Sequence, residues 1–426
     1  MVLITIVNGF GLLSLDFHPL WIAGSAGWLA GMLLFADASR ILKIQVSLIF
    51  FIGIGLLVYA HSNQASLDLD AIISGNTALL TMIAAVGFLR LVVIPADADV
   101  TVLPTGPRAF LHTLIGLNIS SSIINISAPI LISDRIHQLR PLQRFTAQTF
   151  VRIFCGVSSW SPFFAAMAVV LTYVKGASLP GLILVGLPFT LVGFMLVYFE
   201  AKLRHADEVE NFVGYPIQFN ALLVPAILIV VVVLFAWIMP KISILVVIAL
   251  SALLITAATL LLRHGFAGCL GKLREYVVDG LPRIVNELTL FLSAGVLAAG
   301  IAALINQGYL GNPFTEFDSF TAVKLLFIMW LFAAIGIHPV IMISGFSPMI
   351  MTLNPDPQLL AATYLFAWHL GTCSSPLSGT NLVFQGRYGI PSWKLALWNW
   401  PYALLMLAIG AGWLQFVGGL QALLGN

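Results

Sequence analysis

The chain has 426 residues, 60% of them hydrophobic and only 8% charged, with a mean hydropathy of +1.02; soluble domains carry roughly one quarter charged residues, so a water-soluble globular fold is excluded. A formal net charge of +2 shows no polyanion-binding signature, and Cys155, Cys269 and Cys373 lie too far apart for a disulfide framework or a zinc spacing. Apolar runs of about 20 residues, long enough to cross a hydrocarbon core, recur throughout and predict an all-α polytopic membrane protein.

Residues 1–17 are too short and too interrupted for a span and read as an interfacial lead-in; without a positive n-region, no cleaved signal peptide is expected. Spans are predicted at 18–36, 43–60 and 71–95. The next segment, RAFLHTLIGLNISSSIINISAPILISDR (108–135), has two apolar arms of about three turns around NISSSIINIS. Each arm is too short to cross at 1.5 Å per residue, so the segment reads as a re-entrant hairpin. A segment at 145–174 is broken at GVSSWSP (156–162), a clean span follows at 181–199, and a polar cytoplasmic linker occupies 201–215.

The second half repeats this order, with spans at 216–238, 242–262 and 285–305, a hairpin at 324–352, a broken segment at 359–385 and a last span at 393–414. Three local matches support the repeat. NTALLTMIAAVGFL at Asn76 pairs with NELTLFLSAGVLAA at Asn286, GVSSWSP pairs with GTCSSPLSGTN, and glycine-proline connections lead into both last spans. The predicted organisation is therefore 1–17 as lead-in, 18–200 as first repeat, 201–215 as linker and 216–426 as second repeat. Five spans per half, an odd number, make the repeats inverted. With both termini outside, Lys175, Lys241 and Lys324 fall outside and the remaining 16 of 19 Lys and Arg fall inside, as the positive-inside rule requires.

Helix cannot pass undisturbed through Gly371–Pro391, GTCSSPLSGTNLVFQGRYGIP, where Pro376 removes a donor and hydroxyl side chains offer the freed backbone other partners. Broken backbone at membrane depth is tolerated where protein buries it or where it lines a water-filled cavity. Two hairpin tips and two breaks, brought together near the midplane, are the pattern of a secondary transporter. Helix N-termini there suit an anion, while carbonyl and hydroxyl oxygens suit Na⁺. The candidate substrate-binding residues are Asn125, Ser158, Ser159, Ser161, His338, Ser375, Thr380 and Asn381. The candidate ion-binding residues are Asn118, Ser120, Ser121, Ser122, Ser127, Gly156, Ser374, Ser378 and Gly379. The competing reading for each small residue is close helix packing.

His338, before Pro339 at the second tip, is a candidate for pH dependence or for capping freed backbone. Glu287 is a weaker candidate for ion coupling, His369 reads as packed beside the second break, and Arg90 and Arg152 read as snorkelling at inner span ends. Trp160 stands inside the first break, where it would shape a cavity.

GTCSSPLSGTNLVFQGRYGIPSWKLALWNWPY resembles the Gly/Thr/Pro-rich break, Asn and Pro-containing last span of the ion transporter superfamily, and NISSSIINISAPILI is similar to its first hairpin tip. That superfamily includes divalent anion/sodium symporters, sodium/proton antiporters and arsenite permease-like proteins. The resemblance implies a homodimer with a fixed scaffold and a moving transport domain, multi-pass in a bacterial inner membrane. It implies secondary active transport of a small anionic solute coupled to Na⁺ or H⁺, with Na⁺ the one candidate cofactor. A cation/proton antiporter and a toxic-oxyanion efflux permease are the alternatives within transporters, and a channel or an intramembrane enzyme outside them. The paired Ser-Asn-Thr motifs of divalent anion symporters have no literal match here, and no HExxH or GxSxG supports an enzyme.

Overall fold

A computed structural model describes residues 1–11, 19–93, 103–215, 219–239 and 241–424. Parts of the expected lead-in (12–17) and span edges (18–36 at its first residue, 94–95 and 216–218) lie outside the described residues. Among those described the chain is nearly all helical, with a single isolated bridge, Thr105 to Val213. Six stretches are long and apolar enough to cross a membrane: 19–37, 40–62, 69–93, 179–204, 244–306 and 392–420. Their outer faces carry apolar side chains such as Leu184 and Leu262, exposed as a lipid-facing surface is.

The first half contains α1 (Val2–Gly9), α2 (Pro19–Leu34), α3 (Arg40–Ser62), and a third crossing made of α4 (Leu69–Ser74), α5 (Thr77–Gly87) and α6 (Arg90–Val93). Ile6 of α1 packs with Ala85, Val246 and Ala249. Next come α7 (Pro107–Ile124) and α8 (Ser127–Leu139), α9 (Arg144–Val157) and α10 (Ala165–Tyr173), and the long α11 (Leu179–Arg204) with α12 (Ala206–Glu210). The second half gives α13 (Phe219–Ile238), α14 (Ile244–Glu275), α15 (Val285–Asn306), α16 (Ser319–Ala334), α17 (Pro339–Met351), α18 (Pro357–Ser374), α19 (Gly379–Tyr388) and α20 (Ser392–Leu424). Within α14, Gly265 at φ 67° and ψ −178° turns the chain, so the stretch 244–306 is more than one straight helix. Only glycine takes that backbone without strain.

Helix starts follow local rules. Asp318 caps α16 by accepting from Thr321 N at 2.8 Å, Asp356 caps α18 from Leu359 N at 2.7 Å, and Pro107, Pro339 and Pro357 stand in first turns where a missing N–H costs nothing. The Thr321 N–H holds the Asp318 carboxyl below the usual carboxylate range.

Packing crosses between the halves. α3 lies along α15 and α5 along α14; α11 packs on α18 and α20 on α9. Glycine permits the first contact: a Cβ on Gly53 would stand 2.8 Å from Leu297 N, and one on Gly300 would stand 2.9 Å from the Gly53 carbonyl.

Candidate functional site

Four helix N-termini meet at one cavity of about 370 Å³. Its walls include Ser127, Ala165, Pro339 and Gly379, the first residues of α8, α10, α17 and α19. Each start follows a reversal that the sequence sets up. Between α7 and α8 the chain turns at Asn125, φ 54°, in the half of backbone space where Asn is enriched over other side chains. Ahead of α17, His338 accepts from Val340 N at 3.2 Å through Nδ1, so its Nε2 carries the proton of a neutral ring. Its ring stands edge-on to Trp368 at 5.4 Å. Ahead of α19, Ser378 Oγ accepts from Asn381 N at 3.3 Å. First-turn N–H groups and aligned peptide dipoles give all four ends positive character.

The facing wall comes from other elements. Ser39 and Gln45 lie at α3, Arg90 on α6, and Tyr276, Arg283, Asn286 and Glu287 on the approach to α15 and its first turn. Tyr276 fits because residue 87 is glycine: a Cβ there would stand 2.3 Å from the phenol oxygen. Gln45 spans the cavity by donating to the Gly336 carbonyl at 2.8 Å. Among the described lining residues, two guanidiniums stand against one carboxylate. Positive character therefore stands on both walls.

Of the sequence-predicted site residues, Asn125, Ser127, His338, Ser375, Ser378, Gly379 and Thr380 line the cavity. The others stand behind it. Asn118, Ser120, Ser121 and Ser122 ride on α7 rather than at a tip, because helix continues through them to Ile124. Asn118 donates to the Ile153 carbonyl at 3.4 Å and Ser122 to the Ile119 carbonyl at 2.7 Å. Ser158 Oγ donates to the Cys155 carbonyl at 2.7 Å, Ser161 Oγ to the Ser122 carbonyl at 2.5 Å, and the Gly156 carbonyl accepts from Thr190 at 2.8 Å. Ser159 Oγ pairs with His369 Nδ1 at 3.2 Å, and Tyr402 OH lies 3.3 Å from the other ring nitrogen, so His369 bridges the first break to α20. Ser374 Oγ donates to the Leu370 carbonyl at 2.6 Å and accepts from Trp330 at 3.1 Å.

Asn381 closes the second break, its amide donating to the Ser375 carbonyl at 2.8 Å and the Cys373 carbonyl at 3.4 Å. Its Oδ1 is buried with no hydrogen-bond partner among the described residues, as is Ser121 Oγ. Trp160, expected to shape the cavity, is absent from its described lining, and its Nε1 is also buried with no partner among the described residues.

Two charged residues depart from the sequence reading. Arg152 does not snorkel; it is 4% exposed and bonds Asn399 Oδ1 at 2.9 Å, Glu200 at 2.6 Å and the Trp398 carbonyl at 3.2 Å. Arg90 lines the cavity, a role the sequence reading did not give it. Sequence reasoning missed Arg283, Tyr276, Gln45 and Ser39 altogether; their shared signal, polarity near the ends of spans, is also the signal of an ordinary interface residue.

The structure is similar to the YdaH transporter of Alcanivorax borkumensis, a protein of unusual topology, with a TM-score of 0.59 and 13% identity over 88% of this chain and 98% of that one. The two chains share a fold. No protein-family model and no curated protein matches the sequence.

Proposed function

We propose that the protein is a secondary active transporter that moves a small anion through the cavity between the four helix N-termini. The observation that carries this reading is their convergence, opposite Arg90 and Arg283, on one space of about 370 Å³. That size accommodates a small organic or inorganic anion and no macromolecule.

The reciprocal packing of α3 with α15 and α5 with α14 is what an inverted repeat produces, and it supports the division at 201–215, with the α7/α8 and α16/α17 hairpins re-entering from opposite faces. Within the group carrying the N-termini, Arg387 pairs with Asp134 at 2.5 Å and Tyr388 donates to Asp134 at 2.7 Å, tying α19 to α8. Ser161 ties the first break to α7. A group so linked is suited to move as one body past the α3, α5, α14 and α15 wall, the elevator form of alternating access, with the wall as scaffold of a homodimer in a bacterial inner membrane.

Na⁺ is the coupling ion that the buried oxygens favour. Asn381 Oδ1 and Ser121 Oγ are buried polar atoms with no hydrogen-bond partner among the described residues, and a buried oxygen left so costs about 1–3 kcal/mol. Na⁺ bound there would supply positive charge beside the solute. A thermal-stability screen of the purified protein against small carboxylates and oxyanions, amines and neutral solutes, with and without Na⁺, tests this reading. Stabilisation by anions, strengthened by Na⁺, is expected; stabilisation by amines alone would refute it.

A further inference from the structure

Glu287 is the one carboxylate among the described residues that line the cavity. It stands in the first turn of α15, exposed at the cavity wall. Among the described residues it forms no ion pair. The titratable and charged groups that share the lining are Arg283 one turn earlier, Tyr276, Arg90 on α6 and His338 ahead of α17. α3 adds the neutral Gln45, and Asp37, Arg40, Lys43 and Asp70, on or beside the helices packed against α15, lie outside the lining.

We infer that Glu287 is the cavity's proton-binding group, taking up a proton when an anion occupies the four helix N-termini and releasing it when the anion leaves. The inference rests on the anion-transport reading. Arg90 and Arg283 share the cavity lining with Glu287. An arriving anion draws on those guanidiniums and adds a second negative charge; at a separation of about 10 Å and an effective dielectric near 20, the repulsion favours the neutral carboxyl by on the order of tenfold. By linkage the protonated carboxyl raises anion affinity by the same factor. The step is balanced: one proton from water joins one carboxylate oxygen as the anion arrives and returns to water as it leaves.

The test needs no transported solute. The full chain in detergent is treated with dicyclohexylcarbodiimide, which couples to a protonated carboxyl, and adducts are mapped by mass spectrometry across pH. Labelling at Glu287 is expected, falling about tenfold per pH unit above its titration point. It should vanish in Glu287→Gln and persist in Glu287→Asp, whose retained label separates loss of the acid from misfolding. Benzoate and inorganic phosphate serve as probe anions, and whichever stabilises the protein should extend labelling to higher pH. Absent or pH-independent labelling at Glu287 would overturn the proposal, as would a stabilising anion that leaves the labelling profile unmoved. If neither anion stabilises the protein while Glu287 labels with the expected pH dependence, the proton site stands and the anion reading loses support.

Discussion

Arg152 shows how far one side chain's role depends on neighbours that sequence does not place beside it. Read along the chain, an arginine in an amphipathic segment near a span end reaches for water. In the fold its guanidinium is enclosed by Glu200 of α11 and by Trp398 and Asn399 of α20, and it lies 5.0 Å from the Tyr402 ring centre. Three directed donors match a guanidinium fork and no ammonium. Arg152→Met should lower stability by about 2–4 kcal/mol, short of a fully buried pair because Glu200 is 30% exposed. Thermal unfolding of the single and double variants checks it: adding Glu200→Gln should recover part of the loss, whereas an unchanged midpoint in Arg152→Met would show the network to be incidental. Asn381 and Thr380 were easier to read, because Pro376 and the hydroxyl run around them announce broken backbone locally. Arg283 and Tyr276 carry no such mark.

At the scale of elements, sequence reasoning finds breaks well and reversals less well. A proline or glycine acts on its own backbone, so α9 stopping at Val157 and α18 at Ser374 fall inside the predicted breaks. The first hairpin misled for a physical reason: serines inside a helix return their hydroxyls to a preceding carbonyl, as Ser122 does, and need not end it. The reversal falls at Asn125, near the far end of the predicted tip, and the arms are longer than the polar run implied. The first break is held from behind by Gly186 of α11, where a Cβ would lie 1.8 Å from the Ser159 carbonyl. Gly186→Ala must therefore push α11 off the break, at a cost of about 1–3 kcal/mol. Gly412→Ala on α20, with open space around its Cβ, is the control and should leave the unfolding midpoint unchanged. Equal behaviour of the two variants would mean that α11 does not support the break.

At the scale of the whole molecule, membrane composition and the order of elements were legible because the bilayer constrains length and polarity directly. The cavity's second wall was not, since it joins residues 39–45, 90 and 276–287 by packing between halves. The proposed orientation rests on basic residues and is open to test: a thiol placed at Gln64 or Gly311 should react with an impermeant reagent in intact cells, and one at Glu208 should not. External labelling at Glu208 would reverse the layout.

The anion-seeking character of the cavity can be measured at Gly379, which begins α19, lines the cavity and leaves open space where a Cβ would stand. Cys155, Cys269 and Cys373 are all buried, so a thiol introduced there meets little background. The measurement is the rate at which Gly379→Cys reacts with an anionic sulfonatoethyl and a cationic aminoethyl methanethiosulfonate, each divided by the rate at an exposed reference, Gly311→Cys. Four helix N-termini and two guanidiniums should make the anionic reagent the faster one after that normalisation, with the preference shrinking at high salt. A normalised preference for the cationic reagent would contradict an anion site between the four helix N-termini.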